Sequence, residues 1–262
     1  MIVFILNNIS WLIASFILIA FMVIYRNALK DGLVFFGRSL LFIARYPAVL
    51  SFTLLRLVMF ALLDVAIFAW FFPNMGWKSF MTQPIQRLFS IFQQMCLPVL
   101  PCGFIIVFLF LLVGFLVSIA TVHYVLARVS NQAETSPYSI NVAILSMPQI
   151  LAWSMLYAPV YYGILTKQPF LLPLMLLLTF FVTVAIAQGY KNIAQTLIRA
   201  IQIMQANIGK VLIFGVLFGL IGLTAGVAIL QGYRYLSIIC YCVLAILVTI
   251  RDIFKALVSP QI

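Results

Sequence analysis

Charge is what this sequence has least of. Asp, Glu, Lys and Arg make up 7% of it, with four acids and one histidine in all. Acid/base and metal-dependent chemistry need carboxylates, imidazoles or thiolates gathered in groups. So few actors are on hand that the chain reads as no enzyme, with no metal and no cofactor. Four cysteines are too few for a metal framework. A Gly-x-x-x-x-Gly-Lys phosphate loop, an Asp-Asp-x-x-Asp pair and a rhomboid-type serine motif are all missing.

Apolar side chains fill the space. Hydrophobic residues are 66% of the chain and the mean hydropathy is +1.24. A soluble domain is about half apolar and roughly a quarter charged, which excludes one here. A membrane-spanning helix needs about 20 apolar residues. On that measure, runs at 2–25, 48–72, 103–125, 150–165, 170–187, 211–230 and 236–250 predict about seven spans. The expected fold is all-α: a polytopic transmembrane bundle in one membrane domain, with an N-terminal anchor at 1–26 and a six-helix core at 31–258.

Three stretches mix the two characters. Asp31, Arg38 and Arg45 recur every seven residues among Leu33, Phe36, Leu40 and Ile43, which predicts an interfacial helix over 31–46 ended by Pro47. A second is expected from about Pro84, with Ile85, Leu88, Phe89 and Phe92 on one face. The third, 188–210, carries Ile193, Leu197, Ile201, Met204 and Ile208 on one face. Gln188, Asn192, Gln195, Arg199, Gln202 and Gln205 take the other.

The net charge of +11 comes from dispersed basic residues rather than blocks. In a soluble chain that balance suggests nucleic acid; here it is an orientation signal, and no nucleic-acid partner is expected. With the N-terminus outside, ten Lys and Arg (Arg26, Lys30, Arg38, Arg45, Arg128, Lys191, Arg199, Lys210, Arg251 and Lys255) fall on the cytoplasmic side and four (Lys78, Arg87, Lys167 and Arg234) outside. The positive-inside rule then gives an N-out, C-in protein. Its expected partners are the bilayer, anionic lipid headgroups at the cytoplasmic face, and other membrane proteins.

A unit of interrupted lead-in helix, span, turn and returning span starts at Asp31, Ser136 and Gln188. The returning spans run into Thr121-Val-His-Tyr, Thr183-Val-Ala-Ile and Thr249-Ile-Arg-Asp. Duplication and simple membrane economy both account for this layout. The runs Gly37-Arg-Ser-Leu-Leu-Phe-Ile-Ala-Arg-Tyr-Pro47, Gly189-Tyr-Lys-Asn-Ile-Ala194 and Ile253-Phe-Lys-Ala-Leu257 resemble a six-helix family of bacterial membrane proteins of unknown function. The resemblance covers about residues 31–258 and implies fold and location, with no functional residue to carry over.

Arg56 and Asp64 are the ionisable residues well inside a span, and such groups are functional candidates because burying them is costly. Eight residues separate them, about 12 Å along a helix, too far for direct pairing. Arg56 is expected to snorkel to headgroups, leaving Asp64 the stronger candidate. Gly215, Gly219, Gly222 and Gly226 form a small-residue groove for another helix. Cys96 and Cys102 flank two prolines in a predicted turn, where a disulfide and two free apolar cysteines are both open, the latter favoured. Pro148, Pro159 and Pro173 with Tyr157, Tyr161 and Tyr162 make the middle hairpin irregular, as in a substrate site or an ordinary kinked span. Two functions follow: an accessory protein that binds lipids or membrane proteins without turnover, or a small-solute permease or channel subunit using Asp64, Arg56 and that hairpin.

Overall fold

The computed structural model describes residues 26–71, 100–132, 135–167, 180–230 and 234–259. These are helical, with no strand among them. The helices are α1 (Arg26–Arg45), α2 (Leu50–Phe71), α3 (Leu100–Val129), α4 (Ser136–Leu145), α5 (Met147–Lys167), α6 (Val182–Ala187), α7 (Ile193–Leu230) and α8 (Arg234–Val258). Two stretches, Pro47–Ile67 and Gly103–Val129, are long and apolar enough to cross a membrane. The bent pair α4–α5 makes a third if it counts as one span. The expected anchor at 2–25, the helix near Pro84 and Cys96 lie outside the described residues.

Each of the three units breaks after its lead-in helix. Tyr46 leaves the helical region (φ −128°, ψ 70°) before Pro47 opens a single 3-10 turn, Pro47–Val49. A proline pushes the residue ahead of it out of α geometry, which explains the break. Ser146 (φ −84°, ψ 6°) separates α4 from α5, which diverge by 63°. Asn207 (φ −128°, ψ 17°) interrupts α7; its Nδ2 donates to Ile203 O at 3.0 Å, and its Oδ1 accepts from Lys210 Nζ at 3.2 Å.

The units pack in cyclic succession. Lead-in helix α4 lies on α3, the returning helix of the unit before it; α7 lies on α6; and α1 closes the circuit on α8. The returning helices meet at the centre, where α3 touches both α6 and α8. Phe214 and Phe254 stack at 4.2 Å, with Phe35, Phe36 and Phe180 around them, so α1, α7, α8 and the turn into α6 share one aromatic core. A second core joins Phe52 to Tyr124 and Phe115 to Tyr157 and Trp153.

The third lead-in helix starts later than its periodicity predicts. Gly189 sits at φ +90°, a conformation glycine adopts without a Cβ penalty. It ends α6 with paired bonds from Gly189 N to Ile186 O and from Tyr190 N to Ala185 O. Residues 188–192 are therefore a turn, and Asn192 Oδ1 caps the new helix by accepting from Ala194 N at 2.9 Å. From there Thr196, Arg199, Ala200, Ile203, Asn207, Val211 and Phe214 form the seam packed on the protein. The apolar row Ile193, Leu197, Ile201 and Ile208 is exposed, as are Gln195, Gln202 and Gln205. The helix thus has one seam buried in the protein and an exposed remainder that carries both the apolar row and the glutamines.

Candidate functional site

Arg56 is not at a headgroup. It is 1% exposed and reaches across the centre of the bundle to Asp252, Nη2 to Oδ2 at 2.7 Å. The snorkelling expectation is corrected: α2 packs on α3 and α8, so the guanidinium points into protein and finds a carboxylate there. Arg251 and Lys255, counted above among the charges at a cytoplasmic helix end, belong to the same cluster. Arg251 Nη2 lies 3.1 Å and Lys255 Nζ 3.4 Å from Asp252 Oδ1. The C-terminal turns of α8 are not a solvated tail, since Ile253 and Phe254 are completely buried.

Hydroxyls complete the network. Ser118 of α3 donates to Asp252 Oδ2 at 2.8 Å and accepts from Arg56 Nη2 and Arg251 Nη2, each at 3.3 Å. Thr249 donates to Ala245 O at 3.1 Å and accepts from Arg56 Nη1 at 3.2 Å. Its proton is thereby used, so in the 2.7 Å contact between the Thr53 and Thr249 hydroxyls Thr53 is the donor. Lys255 Nζ also donates to Thr183 of α6 at 3.4 Å and sits 4.8 Å above the Phe180 ring. Both Asp252 oxygens are thus fully used as acceptors. Arg56 Nε is buried without a partner among the described residues.

This cluster ties together the first described span and all three returning helices. It gathers three basic side chains round one carboxylate. Among the described residues no three His, Cys, Asp or Glu side chains stand together to hold a metal.

The other sequence candidates are placed unevenly. Asp64 falls in α2, but its side chain lies outside the described residues, as do the surroundings of Gly219, Gly222 and Gly226 in α7 and the side chain of Cys102 in the first turn of α3. Gly215 is exposed, and a Cβ there would meet no atom within 4 Å. Among the described residues no helix approaches the groove at that position. Pro159 lies inside α5 and is exposed, while Tyr157 and Tyr161 are buried beside Trp153. That hairpin is packed protein at its tyrosines.

Sequence reasoning missed Asp252. A signal was present: Thr249, Asp252, Ala256 and Ser259 follow three- and four-residue steps, which set small and polar groups on one helical stripe.

Basic residues also gather on aromatic rings. Arg38 and Lys210 both lie over Phe35, at 5.3 and 4.8 Å, and Arg45 and Arg128 both lie over Tyr46, at 5.5 and 5.7 Å. These four, from α1, α3 and α7, share one end of the bundle. No family model matches the chain, and no curated protein or solved structure is significantly similar to it.

Proposed function

We propose that this chain is a multi-pass membrane protein that binds anionic lipid and neighbouring membrane proteins without turning over a substrate. In this reading it crosses the bilayer seven times, N-terminus outside and C-terminus in the cytoplasm, in a bacterial inner membrane. The observation that carries it is the Arg56–Asp252 cluster. Its one carboxylate, Asp252, is taken up by Arg56, Arg251, Lys255 and Ser118, which leaves no acceptor on it for a passing solute or proton. The lead-in helices α1 and α7 leave Leu33, Leu40, Leu41, Ile193, Leu197 and Ile201 exposed. Lys30, Arg38, Arg45 and Lys191 are exposed on the same two helices and the turn before α7. Helices built this way lie in the headgroup layer, and each basic residue near an anionic surface contributes about 1 kcal/mol.

The 63° bend between α4 and α5 favours the second reading, a small-solute permease or channel subunit built on the middle hairpin and Asp64. Stopped-flow swelling of proteoliposomes in glycerol, urea and potassium chloride separates the two. The accessory reading expects the permeability of protein-free liposomes. Solute entry that Asp64→Asn abolishes would replace it with the permease. Reporter fusions test the topology: a C-terminal fusion active only outside the cytoplasm overturns the orientation.

A further inference from the structure

Where α3 and α6 end, they leave an open cleft of about 410 Å³, walled on its third side by α7. The two ends are built alike. Asn131 (φ 59°) and Gly189 (φ 90°) each reverse the chain in the left-handed conformation, and in each case the following N–H bonds five residues back, Gln132 to Ala127 and Tyr190 to Ala185. These two turns form the rims.

Arg199 stands in the wall. It is nine-tenths buried, yet its only polar partner among the described residues is Gln188, Nε to Oε1 at 3.3 Å. That contact uses one of five N–H groups in a rigid, always charged fork. The remaining four have no protein acceptor among the described residues. No acid is among the described residues that line the cleft; its polar residues include Gln132, Gln188, Tyr190 and His123. Leu126 and Ala187 supply an apolar side. A guanidinium fork with amides and hydroxyls around it matches the oxygens of a phosphate. The volume exceeds what inorganic phosphate fills and suits a substituted one.

Depth in the bilayer narrows the ligand. Gly103–Val129 is 27 residues long, about 40 Å of helix at 1.5 Å per residue, against a hydrocarbon core of about 30 Å. The cleft opens at the end of that helix, at headgroup level.

We propose that this cleft binds the phosphate of an anionic phosphoester, a lipid headgroup or its soluble counterpart, on the free amino groups of Arg199. The proposal deepens the accessory reading above, because it names the ligand and the residue.

Native mass spectrometry of the full chain in detergent tests it, with phosphatidic acid and phosphatidylcholine as probes and glycerol 3-phosphate as soluble competitor. Wild type should retain one phosphatidic acid in preference to phosphatidylcholine. Arg199→Gln should weaken that retention about ten-fold, while Gln202→Ala, exposed on the same helix away from the cleft, leaves it unchanged. Competition by millimolar glycerol 3-phosphate assigns the site to a soluble phosphoester, and its absence assigns the site to lipid; both keep the phosphate in the cleft. Gln132→Trp, which fills the mouth from an exposed position, should displace the ligand even if Arg199→Gln fails to fold. Equal retention of both lipids by wild type, or an anionic preference untouched by Arg199→Gln and Gln132→Trp, overturns the proposal. The second of these results leaves the accessory reading standing, whereas solute flux removes that reading and leaves the cleft.

Discussion

Asp252→Asn should cost more than any single change among its basic partners. The substitution keeps the size of the side chain but leaves Arg56, Arg251 and Lys255 around a neutral amide, and Arg56 and Lys255 are only 1% and 3% exposed. Breaking a buried ion pair by removing one partner costs about 3–5 kcal/mol. Three cations lose their single anion here, so we expect the upper end of that range. Arg56→Met is the milder change. Asp252 keeps Ser118 at 2.8 Å, Arg251 at 3.1 Å and Lys255 at 3.4 Å. The orphaned Nε leaves with the guanidinium, and an unsatisfied buried donor costs about 1–3 kcal/mol, so part of the loss is returned. The expected cost of Arg56→Met is therefore about 1–3 kcal/mol. Reversible unfolding in mixed micelles, driven by SDS mole fraction and followed by circular dichroism, measures both. In the double variant the two effects should fall short of their sum by more than about 0.5 kcal/mol, the scatter expected of independent sites. Equal costs for the two single variants, or additivity within that scatter, would refute the argument that one carboxylate balances the cluster.

Three further outcomes are expected. Cysteines at Gln195 and Gln202 should react with membrane-impermeant thiol reagent in vesicles, one at Ile201 only after detergent is added, and one at the buried Ile203 in neither state; an Ile201 cysteine as reactive as Gln195 in vesicles would lift this helix off the membrane. Gly215→Leu should change the thermal midpoint in detergent little, since nothing stands within 4 Å of its Cβ position, and surface changes of this kind stay within about 0.5 kcal/mol; Leu at Gly219 or Gly222 should cost more if the groove packs there. Asn207→Leu removes the acceptor of Lys210 and the bond to Ile203 O, and a loss of about 1–2 kcal/mol in the same unfolding assay checks that Asn207 stabilises the break.

How much of this was legible in the sequence follows from the range of each interaction. The breaks at Pro47, at Ser146 and before α7 are local, set by a proline, a polar residue or a left-handed glycine within a few positions, and Pro47 marks the first of them in the sequence. The start of α7 moved from Gln188 to Ile193 because apolar periodicity runs on through the turn, and only the φ of Gly189 reveals that the chain reverses there. The Arg56–Asp252 contact spans 196 positions, and no local pattern carries such a contact. Counting charges by distance from the nearest span end therefore sent Arg56, Arg251 and Lys255 to headgroups. That count treats each helix end as a surface, which holds when helices stand side by side across a bilayer. It fails here because the three units pack in a closed circuit. Each returning helix ends against the lead-in helix of the next unit, so Thr183, Thr249 and Ser118 arrive at the centre rather than at water. Polar residues recurring near the ends of returning spans are then best read as one internal site contributed in parts. The three Thr-containing runs bear on that reading unequally. Thr183 and Thr249 join the cluster, whereas Thr121 spends its hydroxyl on Val117 O at 2.7 Å and leaves the place to Ser118, one turn earlier on α3.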